Sequence, residues 1–274
     1  MKDPAYTQDR LLKRIKSLVE EDERIRGLWV VGSIATGKAD RYSDLDVYIL
    51  IEKEKYEEVF AERASFAERM GKVLSFFEVE WPSCQLYGVI LESCVEVDLC
   101  YCTPEQVETF GPYRVVGDKE GDLEGFLAER NVGFKTDVKK RLIQHLDFAA
   151  YNLLHAINML GRGEYWSSIR QLEMLRKRII GLIGLRTQSD VGEEYRRLEA
   201  LIDQVANEAL QRTLCEYTSE SIAEAIQTAT ALFMHEAEEI CGMQGLPFPT
   251  ERFERLLGYL GEIRSETEGA SISV

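Results

Sequence analysis

The 274-residue sequence predicts an α+β protein, in which an N-terminal domain with a mixed sheet precedes an all-α helical bundle. Two observations indicate this division. Short apolar runs bounded by turn residues fill the first half, as is typical of strands. From about residue 133, longer segments repeat apolar residues at helical spacing instead. We therefore expect domains at residues 1–132 and 133–264, followed by a small, polar and flexible tail at 265–274.

The N-terminal domain is predicted to alternate helices with strands. The first helix is expected at residues 7–21, where apolar residues such as Ile15 and Leu18 share one face. A charged helix is expected at residues 54–70, and a short helix at Pro104–Phe110. The predicted strands are Leu28–Val31, Asp46–Ile51, Leu74–Trp81, Leu86–Leu91 and Val95–Tyr101.

The C-terminal domain is predicted to be an antiparallel bundle of helices. Gly161 and Gly163 separate the first helix from the second, and Pro247 and Pro249 precede the last one. The predicted helices are Val138–Leu160, Tyr165–Leu185, Glu193–Ala209, Ser219–Cys241 and Glu251–Ile263.

Charge and composition limit the partners. The formal net charge is −15 and both predicted domains are acidic, whereas a protein that holds long nucleic acid needs Lys and Arg to neutralise phosphates. An acidic protein instead favours Mg²⁺ and cationic small molecules. The chain shows neither a leader nor an apolar run near the ~20 residues that span a bilayer. Its six cysteines lack zinc spacing, so we expect reduced thiols and a cytoplasmic location.

The most informative motif joins two predicted strands. Gly32 and Ser33 follow the strand that ends at Val31, and ten residues later Asp44 and Asp46 open the next strand. Side chains two residues apart on a strand share a face, so these carboxylates repel each other unless a cation such as Mg²⁺ lies between them. The turn leads into a short predicted helix, whose free backbone N–H groups favour a phosphate. The motif therefore predicts phosphoryl or nucleotidyl transfer.

A third carboxylate is expected because two divalent ions need more than two such ligands. Asp98 lies within the predicted strand Val95–Tyr101, with apolar Val97 and Leu99 on the other face. A carboxylate there is costly unless it is paired or bound to metal. Glu96 shares the face of Asp98 and is a candidate second ligand or base.

Glu78 and Glu80 form a rival pair of carboxylates on the strand Leu74–Trp81. They alternate with apolar Phe77 and Val79, as a half-exposed strand does without any catalytic role. We therefore interpret Glu78 and Glu80 as a solvated face.

This motif resembles that of the DNA polymerase beta nucleotidyltransferase superfamily, in which a Gly-Ser turn precedes an Asp-x-Asp strand. Gly32, Ser33, Asp44 and Asp46 match residue by residue, and Asp98 matches the third carboxylate of a later strand. The resemblance implies a polymerase-beta-like fold for the N-terminal domain. It also implies that Asp44, Asp46 and Asp98 bind two Mg²⁺ ions.

The resemblance further implies attack by an acceptor hydroxyl on the α-phosphorus of ATP or another nucleoside triphosphate, with AMP as the expected transferred group. Asp98 or Glu96 would take the proton. The β- and γ-phosphates would be held by the Gly-Ser turn. The nucleotide-binding candidates are therefore Gly32 and Ser33 of this turn, together with Lys38, Arg41 and Ser43 after it.

A domain of this kind followed by a helical bundle is similar to the antibiotic nucleotidyltransferases that modify aminoglycosides and lincosamides. The resemblance implies a small hydroxylated acceptor and resistance to an antibiotic. Candidate acceptor-binding residues in the bundle are Glu164, Tyr165, Trp166 and Glu173. Two structural alternatives stay open, because Glu173 could pair with Arg176 on the helix surface and Trp166 could lie in the core.

Other functions also stay open at this point. The acceptor could be a protein, as in AMP-transferring regulators or toxin–antitoxin systems, or the chain could be a non-catalytic nucleotide-binding module. An RNA-tailing enzyme would share the motif, but the acidic charge disfavours it. The sequence leaves a homodimer open. His145, His155 and His235 lack metal-ligand spacing and are expected to be packing or surface residues.

Overall fold

The structure, a computed structural model, describes residues 5–133, 137–187, 195 and 198–271, with side chains from residue 8 to residue 265 within those ranges. The chain divides into two compact units, Met1–Lys135 and Thr136–Val274. Within the described residues, no helix is long and apolar enough to cross a membrane.

The first unit combines a six-stranded sheet with short helices. Its elements are α1 (Ala5–Glu21), β1 (Ile25–Val31), α2 (Gly32–Ala35), β2 (Leu45–Ile51), α3 (Tyr56–Ala61), α4 (Arg63–Met70), β3 (Val73–Trp81), β4 (Cys84–Leu91), β5 (Glu96–Cys102), β6 (Tyr113–Asp118) and α5 (Leu123–Glu129).

The sheet has the strand order β3-β4-β5-β2-β1-β6. It is mixed, because β2 and β5 run parallel while the other neighbouring strands run antiparallel. A parallel pair brings the amino-terminal ends of both strands to one edge of the sheet. The Asp-x-Asp segment and the segment that carries the third carboxylate therefore begin side by side.

Both faces of the central strands are covered. On one face, Ile15 of α1 and Val59 of α3 pack with Val47 of the sheet. On the other face, Leu123 of α5 packs in a cluster with Trp29. Double coverage explains why the central strands read as almost continuous apolar runs.

Two predictions for this unit need correction, and two elements were missed. The predicted helix 54–70 is interrupted, because α3 ends at Ala61 and α4 begins at Arg63. The predicted helix Pro104–Phe110 is wrong, since Gln106 accepts a hydrogen bond from the backbone N–H of Thr103 at 2.9 Å and closes a turn. Strand β6 and helix α5 were not predicted.

The second unit is helical throughout its described residues. Its helices are α6 (Val138–Gly161), α7 (Tyr165–Thr187), α8 (Leu198–Leu201), α9 (Gln204–Gln211), α10 (Ser219–Gln244) and α11 (Thr250–Ser271). A single apolar cluster, which includes Leu153, Ile179, Ile226, Phe233 and Phe253, joins the four long helices. The fold as a whole is therefore α+β, as the sequence predicts.

Two helix predictions differ from the observed bundle. The predicted helix Glu193–Ala209 begins outside the described residues, and its remainder is divided because Asp203 accepts a hydrogen bond from Ala206 N at 2.8 Å and starts α9. Helix α11 continues past the predicted end at Ile263 to Ser271. The first residues of the predicted tail are thus helical.

Candidate active site

The Gly-Ser turn lies directly against one of the motif carboxylates. Gly32 has φ +64°, a conformation that residues with a Cβ rarely adopt, and it begins α2 immediately after β1. A Cβ at Gly32 would lie 2.6 Å from Oδ2 of Asp46. Glycine is therefore required twice, for the turn and for the approach to Asp46.

The parallel pair β2–β5 brings two carboxylates abreast. Asp46 pairs in register with Asp98, and neighbouring strands lie about 4.8 Å apart. Leu45 and Val47, the neighbours of Asp46 along the chain, are buried on the opposite face. Asp44 lies two residues before Asp46 and is half-buried like it. Asp46 and Asp98 thus share one face of the sheet, and Asp44, directly before β2, is close enough to raise the pKa of Asp98.

Asp98 is electrostatically unfavourable without a cation. Burial, together with the charges of Glu96 and Asp44, raises the pKa of Asp98 to about 6. Its Oδ1 atom is buried and has no hydrogen-bond partner among the described residues. A buried carboxylate oxygen without a donor indicates a ligand position.

The carboxylate row fits a magnesium ion by its donor chemistry. Mg²⁺ prefers carboxylate oxygens, and Oδ1 of Asp98 has an open coordination position. The described part of the chain contains no group of three His, Cys, Asp or Glu side chains already arranged to hold a metal. The two-ion site of Asp44, Asp46 and Asp98 therefore stays a prediction.

Ser33 offers a hydrogen-bond donor beside this row. Its Oγ is buried and has no partner among the residues that the structure describes. Thr36, one turn later, directs its own hydroxyl to the carbonyl groups of Gly32 and Ser33. This lack of a partner is compatible with a phosphate oxygen as the acceptor, and the nucleotide-binding role of Ser33 stays a prediction.

The other predicted nucleotide-binding residues differ in their surroundings. Lys38 and Arg41 are exposed, and the Arg41 guanidinium lies 4.4 Å from the ring centroid of Tyr42. Ser43 is buried, and its hydroxyl accepts a hydrogen bond from Asp40 N at 2.9 Å. Ser43 therefore shapes the loop before β2, while the roles of Lys38 and Arg41 stay predictions.

Glu96 and the rival pair Glu78 and Glu80 lie on different faces. Glu96 is exposed, belongs to the face of Asp98, and is close enough to raise the pKa of Asp98. Glu78 lies on the opposite face, where it accepts a hydrogen bond from Arg63 at 2.7 Å. This arrangement agrees with the interpretation of Glu78 and Glu80 as a surface pair.

The predicted acceptor residues belong to the helical unit. Trp166 is exposed, which makes its core alternative wrong, and its ring centroid lies 4.7 Å from that of Tyr217. Tyr165 packs edge-on against the same tyrosine, with centroids 5.5 Å apart. Glu164 precedes α7 and is exposed. These residues form an aromatic surface, and their binding role stays a prediction.

Glu173 has a structural contact that the sequence also allowed. It forms an ion pair with Arg176, three residues later on α7. Arg176 is buried and donates to the hydroxyl of Thr213 at 2.9 Å. This network fastens α7 to the segment after α9, which favours the surface-pair interpretation of Glu173 over an acceptor role.

Two residues that sequence reasoning did not single out lie in line with Asp98 across the sheet. Gly88 of β4 pairs with Asp98, and Phe77 of β3 pairs with Gly88. Nothing local marks either residue, because only the register across three strands brings them to Asp98.

A turn packed against a row of carboxylates on two parallel strands is the arrangement expected of a nucleotidyltransferase. The chain belongs to the streptomycin adenylyltransferase family, whose model matches residues 6–263. The predicted superfamily resemblance is thereby confirmed, and the protein is an enzyme of the nucleotidyltransferase class.

Two solved structures are similar to this chain. An aminoglycoside 6-adenyltransferase from Bacillus subtilis is 14% identical with a TM-score of 0.43, over 94% of this chain and 98% of that chain. The GLD-2/RNP-8 complex is 14% identical with a TM-score of 0.28, over 83% of this chain and 71% of that chain. No curated protein matches the sequence significantly.

Proposed function

We propose that the protein transfers AMP from ATP to a hydroxyl group of an aminoglycoside of the streptomycin type, with Mg²⁺ as cofactor. The family match across residues 6–263 supports adenylyl transfer and an antibiotic acceptor. The observation that carries the chemistry is the register of Asp46 with Asp98, next to a glycine turn in contact with Asp46.

Asp44, Asp46 and Asp98 would hold the metal. Bound Mg²⁺ would neutralise charge on the phosphates and lower the pKa of the acceptor hydroxyl. Ser33 Oγ would donate a hydrogen bond to a phosphate oxygen, since it has no partner among the described residues. The close packing of Gly32 on Asp46 would keep turn and carboxylate in fixed relation.

The reaction needs a group that accepts one proton. The acceptor O–H bond breaks, its oxygen bonds to the α-phosphorus, and the bond to the bridging oxygen of pyrophosphate breaks. Asp98 is a candidate base, because it lies in register with Asp46 and its Oδ1 has no hydrogen-bond partner among the described residues. Glu96, on the same face, is the alternative base.

The experiment is mass spectrometry of the products formed by purified protein with Mg²⁺, the four nucleoside triphosphates, and a panel of aminoglycosides and lincosamides. We expect streptomycin to gain one adenylyl group. The control is Asp46→Asn, which should give no product while it folds normally by circular dichroism.

Other outcomes would overturn parts of the proposal. If the adduct forms on a lincosamide or on a protein, the proposed acceptor is wrong. If the transferred nucleotide is not AMP, the proposed donor is wrong. If no triphosphate is consumed or bound, the protein is a non-catalytic module.

A further inference from the structure

The strand register defines a line of residues that extends beyond the carboxylates. Asp46, Asp98, Gly88 and Phe77 occupy matching positions on β2, β5, β4 and β3. Residues at matching positions of neighbouring strands share a face. Phe77 is thus on the face of the carboxylates, although it belongs to the outermost strand of the sheet.

The ring of Phe77 lies on Gly88. A Cβ built at Gly88 would meet three ring atoms of Phe77 at 2.2 to 2.7 Å. The absence of a side chain at Gly88 therefore leaves room for the end of the Phe77 ring above β4. Phe77 remains 39% exposed, so part of its side chain is accessible to a ligand.

The Gly-Ser turn and Phe77 lie on opposite sides of the pair Asp46 and Asp98. The Gly-Ser turn follows β1, which neighbours β2 on the side opposite to β5. In phosphoryl transfer the attacking and leaving oxygens lie roughly in line, on opposite sides of phosphorus. If pyrophosphate lies at Gly32 and Ser33, the acceptor approaches from the side of Asp98 and Gly88.

The chemistry at this end suits a cationic ring compound. An open aromatic face attracts ammonium and guanidinium groups and the C–H groups of saturated rings. Glu96, exposed on the same face and paired in register with Ile90, adds a negative charge. A hydroxylated, positively charged sugar ring matches both features.

We propose that Phe77, seated on Gly88, is an acceptor-binding residue that stacks against a cationic sugar ring of the acceptor and directs its hydroxyl toward Asp98. This inference rests on the proposed nucleotidyl transfer and adds the place where the acceptor binds. It assigns acceptor recognition to the sheet of the first unit, in addition to any contribution of the helical unit.

The test compares Phe77→Ala with Phe76→Ala. Phe76 is on the same strand and is also exposed, but it packs near Tyr87 on the opposite face, with ring centroids 5.4 Å apart. We expect Phe77→Ala to raise KM for streptomycin about tenfold and to change KM for ATP less than about twofold. Phe76→Ala should leave both constants unchanged, and Phe77→Tyr should keep the wild-type KM.

Calorimetric titration of streptomycin separates this proposal from the proposed function. If the wild type binds streptomycin without turnover and Phe77→Ala weakens that binding, the stacking role stands and adenylyl transfer to streptomycin fails. An unchanged streptomycin affinity and KM in Phe77→Ala would overturn the stacking role. A rise in KM for ATP instead would assign the ring to the adenine base and would also overturn it. A wild type that neither binds nor modifies streptomycin overturns both.

Discussion

Gly32 shows how one residue can serve both the backbone and the site. Its left-handed conformation turns the chain at the end of β1, and its missing Cβ leaves room for Oδ2 of Asp46. Gly37 has a similar φ of +69°, but a Cβ there would meet nothing within 4 Å. A comparison of alanine substitutions at Gly32 and Gly37 therefore separates the effect of backbone strain from the effect of a Cβ that contacts Asp46.

We expect Gly37→Ala to lower the free energy of unfolding by about 1 kcal/mol because of the left-handed backbone, and Gly32→Ala to lower it by at least as much, since its Cβ also meets Asp46. Gly32→Ala should in addition lose most adenylyl transfer, because its Cβ displaces Asp46. Urea unfolding and steady-state kinetics on both variants test this expectation. Equal activity of the two variants would mean that the approach of Gly32 to Asp46 has no catalytic importance.

Asp98 combines unfavourable electrostatics with a proposed catalytic role. Burial and two neighbouring carboxylates raise its pKa, so its ionised form destabilises the fold at neutral pH. Such a cost is typical of positions where a ligand or a reaction requires the charge.

We expect Asp98→Asn to reduce turnover by about 10²- to 10⁴-fold while it raises Tm, because the amide carries no charge. Glu80→Gln, an exposed carboxylate on the opposite face, is the matched control and should change neither quantity. Steady-state kinetics and thermal unfolding at neutral pH measure the turnover and the Tm of both variants. Wild-type turnover in Asp98→Asn would exclude Asp98 from the reaction.

At the scale of elements, an ion-pair network ties the start of β1 to two helices. Arg24 donates to Asp22 at 2.7 Å, to Glu58 of α3 at 2.9 Å and to Glu62, which lies between α3 and α4, at 2.7 Å. The hydrogen bond from Arg24 lowers the pKa of Asp22 despite its partial burial. The network therefore holds together elements that are distant in the chain.

The stability that Asp22 contributes depends on pH in a defined direction. Because folding lowers its pKa, this stability is complete above the unfolded value of about 3.9 and is lost as pH falls through the folded value. We expect Asp22→Asn to cost about 1 kcal/mol at neutral pH and almost nothing near pH 2.

Thermal melts across this pH range measure the difference. Glu20→Gln is the control, since Glu20 is exposed and its distance to Lys16 is 3.7 Å. A constant difference between Asp22→Asn and the wild type at all pH values would contradict the assignment.

Helices and strands were predicted correctly where the apolar residues follow a regular spacing within one segment of the chain. The helices α6 and α10 follow apolar spacing that any reader of the sequence can trace, and the apolar strands around the Gly-Ser turn are equally clear. Strand β6 was missed because it is an edge strand whose main support is its pairing with β1. Helix α5 was missed because its burial depends on the sheet face that it covers.

At the scale of the whole molecule, the parallel pairing of β2 with β5 decides the geometry of the site. Residues more than fifty positions apart in the chain become neighbours, as Asp46 and Asp98 do. Strand β3 joins the same sheet, which places Phe77 in line with Asp98, with Gly88 between them. Each carboxylate could be named from the sequence, but their alignment required the register.

The sequence by itself determined the α+β class, and it predicted both the turn with its Asp-x-Asp strand and Asp98, rather than Glu78 or Glu80, as the third carboxylate. These follow from periodicity and spacing, which are local properties of the chain. The tertiary structure decided which carboxylates lie abreast, that Glu173 is engaged with Arg176, and that Phe77 lies in line with Asp98 across the sheet. Strand order and register are set by packing between distant segments, and no local pattern encodes them.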